Sequence, residues 1–296
     1  MTGIDAVGFV ARWLAFVGVI MPLGAVLFRG MVVAHAGLPL LDAQRLKERA
    51  ARVGWRCALL IPPAALARLY FQVGLMRFPD EPWFPFAGKL IAQSTWGYLW
   101  LGQLALATLV AVALWRVESA EVKDDRLAAI LAALLAVTPS LSSHAMSGHA
   151  SRWLTLPADM LHLLGAATWL GTLAVMSSAV GLDSGRLMSV LLARFSPLAL
   201  VGATIVAVSG VVSSLIHVQA VTVLTMTPYG RTLLVKLCIV AGVVALGWHN
   251  WRRMTPRVDE LGNAAVRRSI LIELVLAATV LAATSVLVIT PPVMNH

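Results

Sequence analysis

The sequence predicts an all-α, polytopic membrane protein built as a bundle of eight transmembrane helices. Two observations carry that expectation. Of the 296 residues, 59% are hydrophobic and only 12% charged, with a mean hydropathy of +0.83. Apolar runs of about 20 residues, the length that crosses a bilayer core as helix, recur along the chain. The alternating ~10-residue strands of a transmembrane barrel are not seen. With no internal repeat or low-complexity tract, residues 1–296 read as one transmembrane domain.

The first span runs from about Ala6 to Phe28, with Pro22 as a kink. The opening MTGIDAVGFV has an acidic residue and no basic region, so this segment reads as a retained helix rather than a cleaved signal. Arg29 to Arg56 is basic with interleaved leucines (Leu38, Leu40, Leu41, Leu46), which predicts a short amphipathic helix lying on an anionic membrane surface. Span two, Trp55 to Met76, contains Pro62, Pro63, Arg68 and Gln72. Arg77 to Thr95 is expected as a loop whose Trp83, Phe84 and Phe86 sit in an interfacial belt. Span three is Trp96 to Trp115 with Gln103 inside, and RVESAEVKDDR is a solvated turn. Span four runs from Leu127 to Ser143, and span five from Pro157 to Val180, with proline at the first helical position. Leu182 to Arg194 is expected as a short connection. Phe195 to Val218, Gly230 to Trp251 and Ser269 to Thr290 complete the set, with Arg252 to Arg268 as a basic connection before the last.

The net charge of +9 is distributed by side rather than gathered in one patch, so a nucleic-acid partner is not implied and membrane lipids are. Sixteen of the 23 Lys and Arg residues fall in the odd connections, five at the N-terminus and in the even ones, and two (Arg68 and Lys236) within spans. That asymmetry puts the odd connections in the cytoplasm and both termini outside, in the periplasm of a Gram-negative cell. Cys57 and Cys238 lie in different spans, which offers neither a disulfide framework nor a CxxC motif.

Chemistry concentrates between His144 and Gly171, a stretch of 28 residues with three histidines, two methionines and one aspartate. His144, Met146 and His149 fall on a Gly/Ser-containing connection, and Asp159, Met160 and His162 in the first turns of a helix. Imidazole suits copper and zinc, whereas thioether sulfur selects Cu(I), so the group suggests copper handling, with Cu(II) also open to the His/Asp set. Asp159 and His162, three residues apart, share a helical face that continues to Ala166 and Trp169. Asp159 either joins the ligand set or pairs with Lys236 or Arg68, because an isolated buried charge is costly. His217 ends span six on the same outer side. Glu273 either meets Arg194 or the basic seventh connection, or belongs to an inner exit or proton step.

No GxxxxGK[ST], HExxH or GxSxG occurs, so ATP-driven pumping, zinc proteolysis and serine hydrolysis have no support and no enzyme is expected. The alternative that stays open is a haem-binding membrane oxidoreductase, with His162 and His217 as an outer axial pair and His35 and His249 as an inner one.

Three segments resemble the copper resistance protein D (CopD) family. They are GHA with DMLHLLGAATWLGTL (148–150 and 159–173), RFSPLALVGATIVAVSGVVSSLIHV (194–218), and TPYGRTLLVKLCIVAGVVALGWHNWRR (227–253). The likeness is strongest over 140–290. It implies copper transport or homeostasis at the bacterial inner membrane, with import to the cytoplasm as the usual direction. His149, Asp159, His162 and Trp169 fall on the family's outer motif, and Tyr229, Arg231 and Lys236 on its later signature. A periplasmic CopC-like copper-binding partner is implied as a separate protein, since no such domain precedes the first span. Met21, Met160 and Cys57, the last near the inner end of span two, would be soft stepping stones for a descending ion. A copper sensor or assembly subunit that binds without transporting is the remaining alternative.

Overall fold

The computed structural model describes residues 3–119, 121, 124–142, 152–180, 185–217, 228–249, 252 and 258–287, and its ordered elements are helices throughout. Helix α1 (Gly3–Leu27) continues through a π-helical turn (Phe28–Val32) and a 3-10 turn (Val33–His35). Gly37, at φ +66°, makes the reversal that follows, a left-handed conformation that favours glycine. After it come α2 (Leu40–Ala58), α3 (Ile61–Met76), α4 (Trp83–Gln93), α5 (Thr95–Glu118) and α6 (Arg126–Leu141). The second half holds α7 (Arg152–Ala166), a π-helical turn (Ala167–Gly171), α8 (Thr172–Val180), α9 (Gly185–His217), α10 (Pro228–His249) and α11 (Val258–Leu287).

Among the described residues, six stretches are long and apolar enough to cross a membrane: Val7–His35, Leu40–Met76, Thr95–Glu118, Trp153–Ser178, Leu187–Ser213 and Gly230–His249. Two shorter apolar helices, Arg126–Leu141 and Ile270–Ser285, occupy the positions expected for spans four and eight. The chain is a multi-pass helical membrane protein.

Helix α1 is the hub, touching α2, α3, α6, α8, α11 and the π-helical turn after α7. Along it, α2 and α3 run antiparallel as one long rod. A Cβ on Gly54 would lie 2.9 Å from Ala25 Cβ, one on Gly18 2.6 Å from the Ile61 side chain, and one on Gly8 3.5 Å from the Phe71 ring. This corrects the expectation that residues 40–56 lie on the membrane surface. The small residues Ala50, Ala51 and Gly54 let α2 pack lengthwise against α1 and α5, while Arg45, Arg49, Arg52 and Arg56 are exposed along it. Pro62 and Pro63 sit in the first turn of α3, where a missing N–H costs little, so the break within the Leu40–Met76 stretch falls at 59–60, just ahead of them.

Other boundaries also shift. The predicted loop between Arg77 and Thr95 contains α4, whose Ala87 and Leu90 form a small apolar cluster with Leu69, Val73 and Trp100. Ser94 caps α5 by accepting from the Gly97 amide at 3.0 Å. Helix α7 starts at Arg152, which leaves Pro157 inside it rather than at its first position. Helices α9 and α11 begin within the stretches expected as connections.

Charged contacts gather where α1, α2, α5 and α6 meet at one end. Arg29 Nη2 and Nε donate to Asp125 at 2.9 and 3.0 Å, and Arg29 Nη1 donates to the Lys47 carbonyl. Arg52 and the Trp55 indole both donate to Glu118 at 2.5 Å. The Arg29 side chain is only 7% exposed, so its carboxylate partner matters more than a surface pair would.

The two halves of the chain meet backbone to backbone. A Cβ on Gly24 would lie 2.3 Å from the Gly171 carbonyl carbon, and one on Gly171 2.7 Å from the Ile20 carbonyl oxygen. Such contact between helices needs small residues. Gly24→Ala is therefore expected to cost about 1–3 kcal/mol through overpacking, read as a lower unfolding temperature in detergent. Gly74→Ala, where a Cβ meets nothing within 4 Å, is the control that should be neutral or slightly stabilising.

Candidate functional site

Helices α7 and α9 pack closely along one seam. Gly165 and Gly202 make this possible, since a Cβ on either would lie 2.9 Å from the other's carbonyl oxygen. On this seam the predicted Asp159–His162 face meets a row of serines. Ser213 Oγ donates to Asp159 Oδ1 at 3.3 Å, and Ser209 Oγ lies 3.1 Å from His162 Nδ1. Both acidic and basic side chains are half-buried.

The serine's own hydrogen bonding bears on the imidazole's tautomer. Ser209 Oγ donates its single proton to the Ile205 carbonyl at 2.6 Å, with Val206 O a longer second acceptor at 3.2 Å. With that proton directed to the carbonyl, the oxygen accepts from the ring, an arrangement that favours the tautomer with hydrogen on Nδ1 and the lone pair on Nε2. A histidine held through its other nitrogen in this way is pre-set as a metal ligand. Gly210 keeps space beside the ring, where a Cβ would approach His162 Cε1 to 3.4 Å. Ser209, Gly210 and Ser213 were not singled out from the sequence. The signal was there in SGVVSS, small residues at helical spacing in an apolar segment, but that pattern also serves plain helix packing.

Met160 is half-buried, next to this pair on α7. His144, Met146 and His149 lie outside the described residues, as does the His217 side chain at the last position of α9. Among the described residues, no three His, Cys, Asp or Glu side chains converge as a metal centre. Asp159 and His162 thus supply one oxygen and one nitrogen donor a turn apart.

A second polar locus lies further along α7. Trp169, 8% exposed, sits in the π-helical turn, a local widening that recurs at functional positions. Its Cζ2 and Glu273 Oε1 lie 3.9 and 3.8 Å from where a Cβ on Gly247 would stand. Glu273 is buried on α11, so indole and carboxylate flank the same gap at α10. Of the later signature, Arg231 is exposed on α10, while the Tyr229 and Lys236 side chains lie outside the described residues.

Arg68 is engaged away from Asp159. It donates to Gln103 Oε1 at 3.0 Å and to Ser142 Oγ at 3.4 Å, and Gln103 in turn donates to Thr138 at 2.9 Å. Ser142 is the last described residue before the connection that holds His144, Met146 and His149. Cys57 is half-buried, and its carbonyl lies 3.2 Å from a Cβ placed on Gly18. It therefore stands level with Gly18, roughly three turns along α1 from Arg29. His35 and His249 are both exposed, and His35 Nδ1 is 3.1 Å from the Met31 carbonyl.

The fold is that of a multi-pass helical membrane protein with an Asp/His face on the seam between α7 and α9. Residues 3–156 match the family described as Copper resistance protein D-like, N-terminal domain, and residues 189–287 match Copper resistance protein D. The chain belongs to the copper resistance protein D family, and its role lies in copper resistance or homeostasis. No curated protein and no solved structure matched the chain.

Ser209→Ala tests the pre-set ligand. Selective 15N-histidine NMR is expected to find His162 as the Nδ1–H tautomer in the parent protein and to lose that fixed state in the variant. Metal affinity should fall about 10–100-fold, with little change in unfolding temperature.

Proposed function

We propose that this protein carries copper across the bacterial inner membrane, from periplasm to cytoplasm, through an eight-span bundle with both termini outside. Asp159 and His162 on their serine-backed face, within a chain of a copper resistance family, carry the reading. An ionisable pair in a spanning segment is costly and marks an ion path by default. The excess of Lys and Arg in the odd connections supports the orientation.

In this mechanism copper reaches His144, Met146 and His149 from a periplasmic CopC-like protein and is taken up by His162 Nε2, with Asp159 as oxygen donor or charge balance. Thioethers of Met160 and Met21 offer soft contacts below, and Cys57 a sulfur further in. His217 closes the outer set. Trp169 and Glu273 line the lower part of the route, where the carboxylate supplies a second oxygen site for the cation. Arg231, Tyr229 and Lys236 belong to the α10 signature that frames this side of the bundle. No bond of the cargo is made or broken, so the protein is a carrier and not an enzyme.

Elemental analysis of the purified protein, with an absorption spectrum, is the first test. About one copper per chain without a Soret band is expected, and stoichiometric haem would sink the proposal. In cells, His162→Ala should lower copper accumulation at unchanged protein level. Normal accumulation in that variant would remove His162 from the path. Copper binding without flux in vesicles would reduce the protein to a sensor or assembly subunit.

A further inference from the structure

We propose that Arg12 and Arg68 form a binding site for an oxyanion of the phosphate class, between α1, α3, α5 and α6 at the end of the bundle away from Arg29. The register of α3 on α1, fixed by the Gly18–Ile61 and Gly8–Phe71 approaches, sets Arg68 beside Arg12. Their positive charges repel one another. Arg68 is aimed by a chain of neutral partners, Gln103 and Ser142, with Gln103 held by Thr138 and Thr138 by the Leu135 carbonyl at 2.8 Å. Arg12 makes no hydrogen bond or ion pair among the described residues, and neither guanidinium has a carboxylate within 4 Å there. The adjoining connection, residues 143–151, contains no Asp or Glu that could serve as counter-ion.

Two adjacent cations in a spanning region are costly, and the cost falls when an anion lies between them. Guanidinium forks match the oxygens of phosphate, and a single phosphate can take hydrogen bonds from both. Both arginines are half-buried, so their charged ends are fixed by the bundle yet within reach of a ligand. The phosphate can be that of a phospholipid headgroup, toward which arginine snorkels, or a small free ion. The site uses none of the residues assigned to copper passage, and its failure would leave that reading intact.

Full-length protein in detergent is examined by native mass spectrometry for retained phospholipid. After delipidation it is titrated with inorganic phosphate at constant ionic strength, with thermal unfolding as the readout. Retained phospholipid identifies the headgroup as ligand, and a saturable rise in unfolding temperature with phosphate alone identifies the free ion. In either case Arg12→Gln is expected to weaken binding about tenfold or more, and Arg12→Lys less. Arg12 donates no bond among the described residues, so the glutamine variant should fold. Should it not, Arg68→Lys keeps the charge, loses the fork and should weaken binding in the same assays. No retained lipid together with no phosphate response in the parent protein overturns the proposal, as does unchanged binding in these variants.

Discussion

The architecture depends on how closely α1 approaches the turn that joins α7 to α8. Gly24 and Gly171 bring two backbones into contact with no side chain between them. In a membrane the hydrophobic effect does not drive helices together, so such contact relies on dispersion between well-matched surfaces. It occurs where α7 passes through a π-helical turn, and the buried Thr172 hydroxyl just beyond has no hydrogen-bond partner among the described residues. The segment matched to the N-terminal family domain thus supplies the surface against which the Asp159–Trp169 helix is seated. Displacing α1 would move both polar loci at once.

Along α7 those loci are separated by seven residues, roughly 10 Å of helix, with α9 closing one side. The character of the seam changes along its length. At Asp159 and His162 it is lined by hydroxyl groups that orient a carboxylate and an imidazole. At Gly165 and Gly202 it closes to backbone contact, and at Trp169 it widens again beside Glu273. A cation held at the first locus is therefore separated from the second by the tightest part of the helix pair. Passage requires that contact to loosen or a route around it.

Hydropathy and recurring apolar runs made the helical membrane class legible, because both act at the scale of whole segments. They misjudged elements whose fate depends on neighbours. The amphipathic pattern of residues 40–56 fits a helix on lipid headgroups equally well, and only the small residues facing Ala25 and Leu114 decide for lengthwise packing. Helix α4 was hidden because its aromatic residues match an interfacial loop, while its apolar face is recognisable only beside Leu69 and Trp100. The Asp159–His162 face followed from spacing alone. Its serine backing did not, since Ser209 and Ser213 are distant in sequence and ordinary in type. Arg68 was legible as an intramembrane charge, but not as a neighbour of Arg12, because that depends on the register of two helices.

The Arg29, Asp125, Arg52 and Glu118 contacts gather at a single rim of the bundle, between α1, α2, α5 and α6. Ion pairs of this kind tie the four helices to one another, while the turn after α7 meets α1 through apolar surface and the Gly24–Gly171 backbone contact. In the proposed carrier, the rim so tied would be the fixed part against which the helices bearing Asp159, His162 and Trp169 shift.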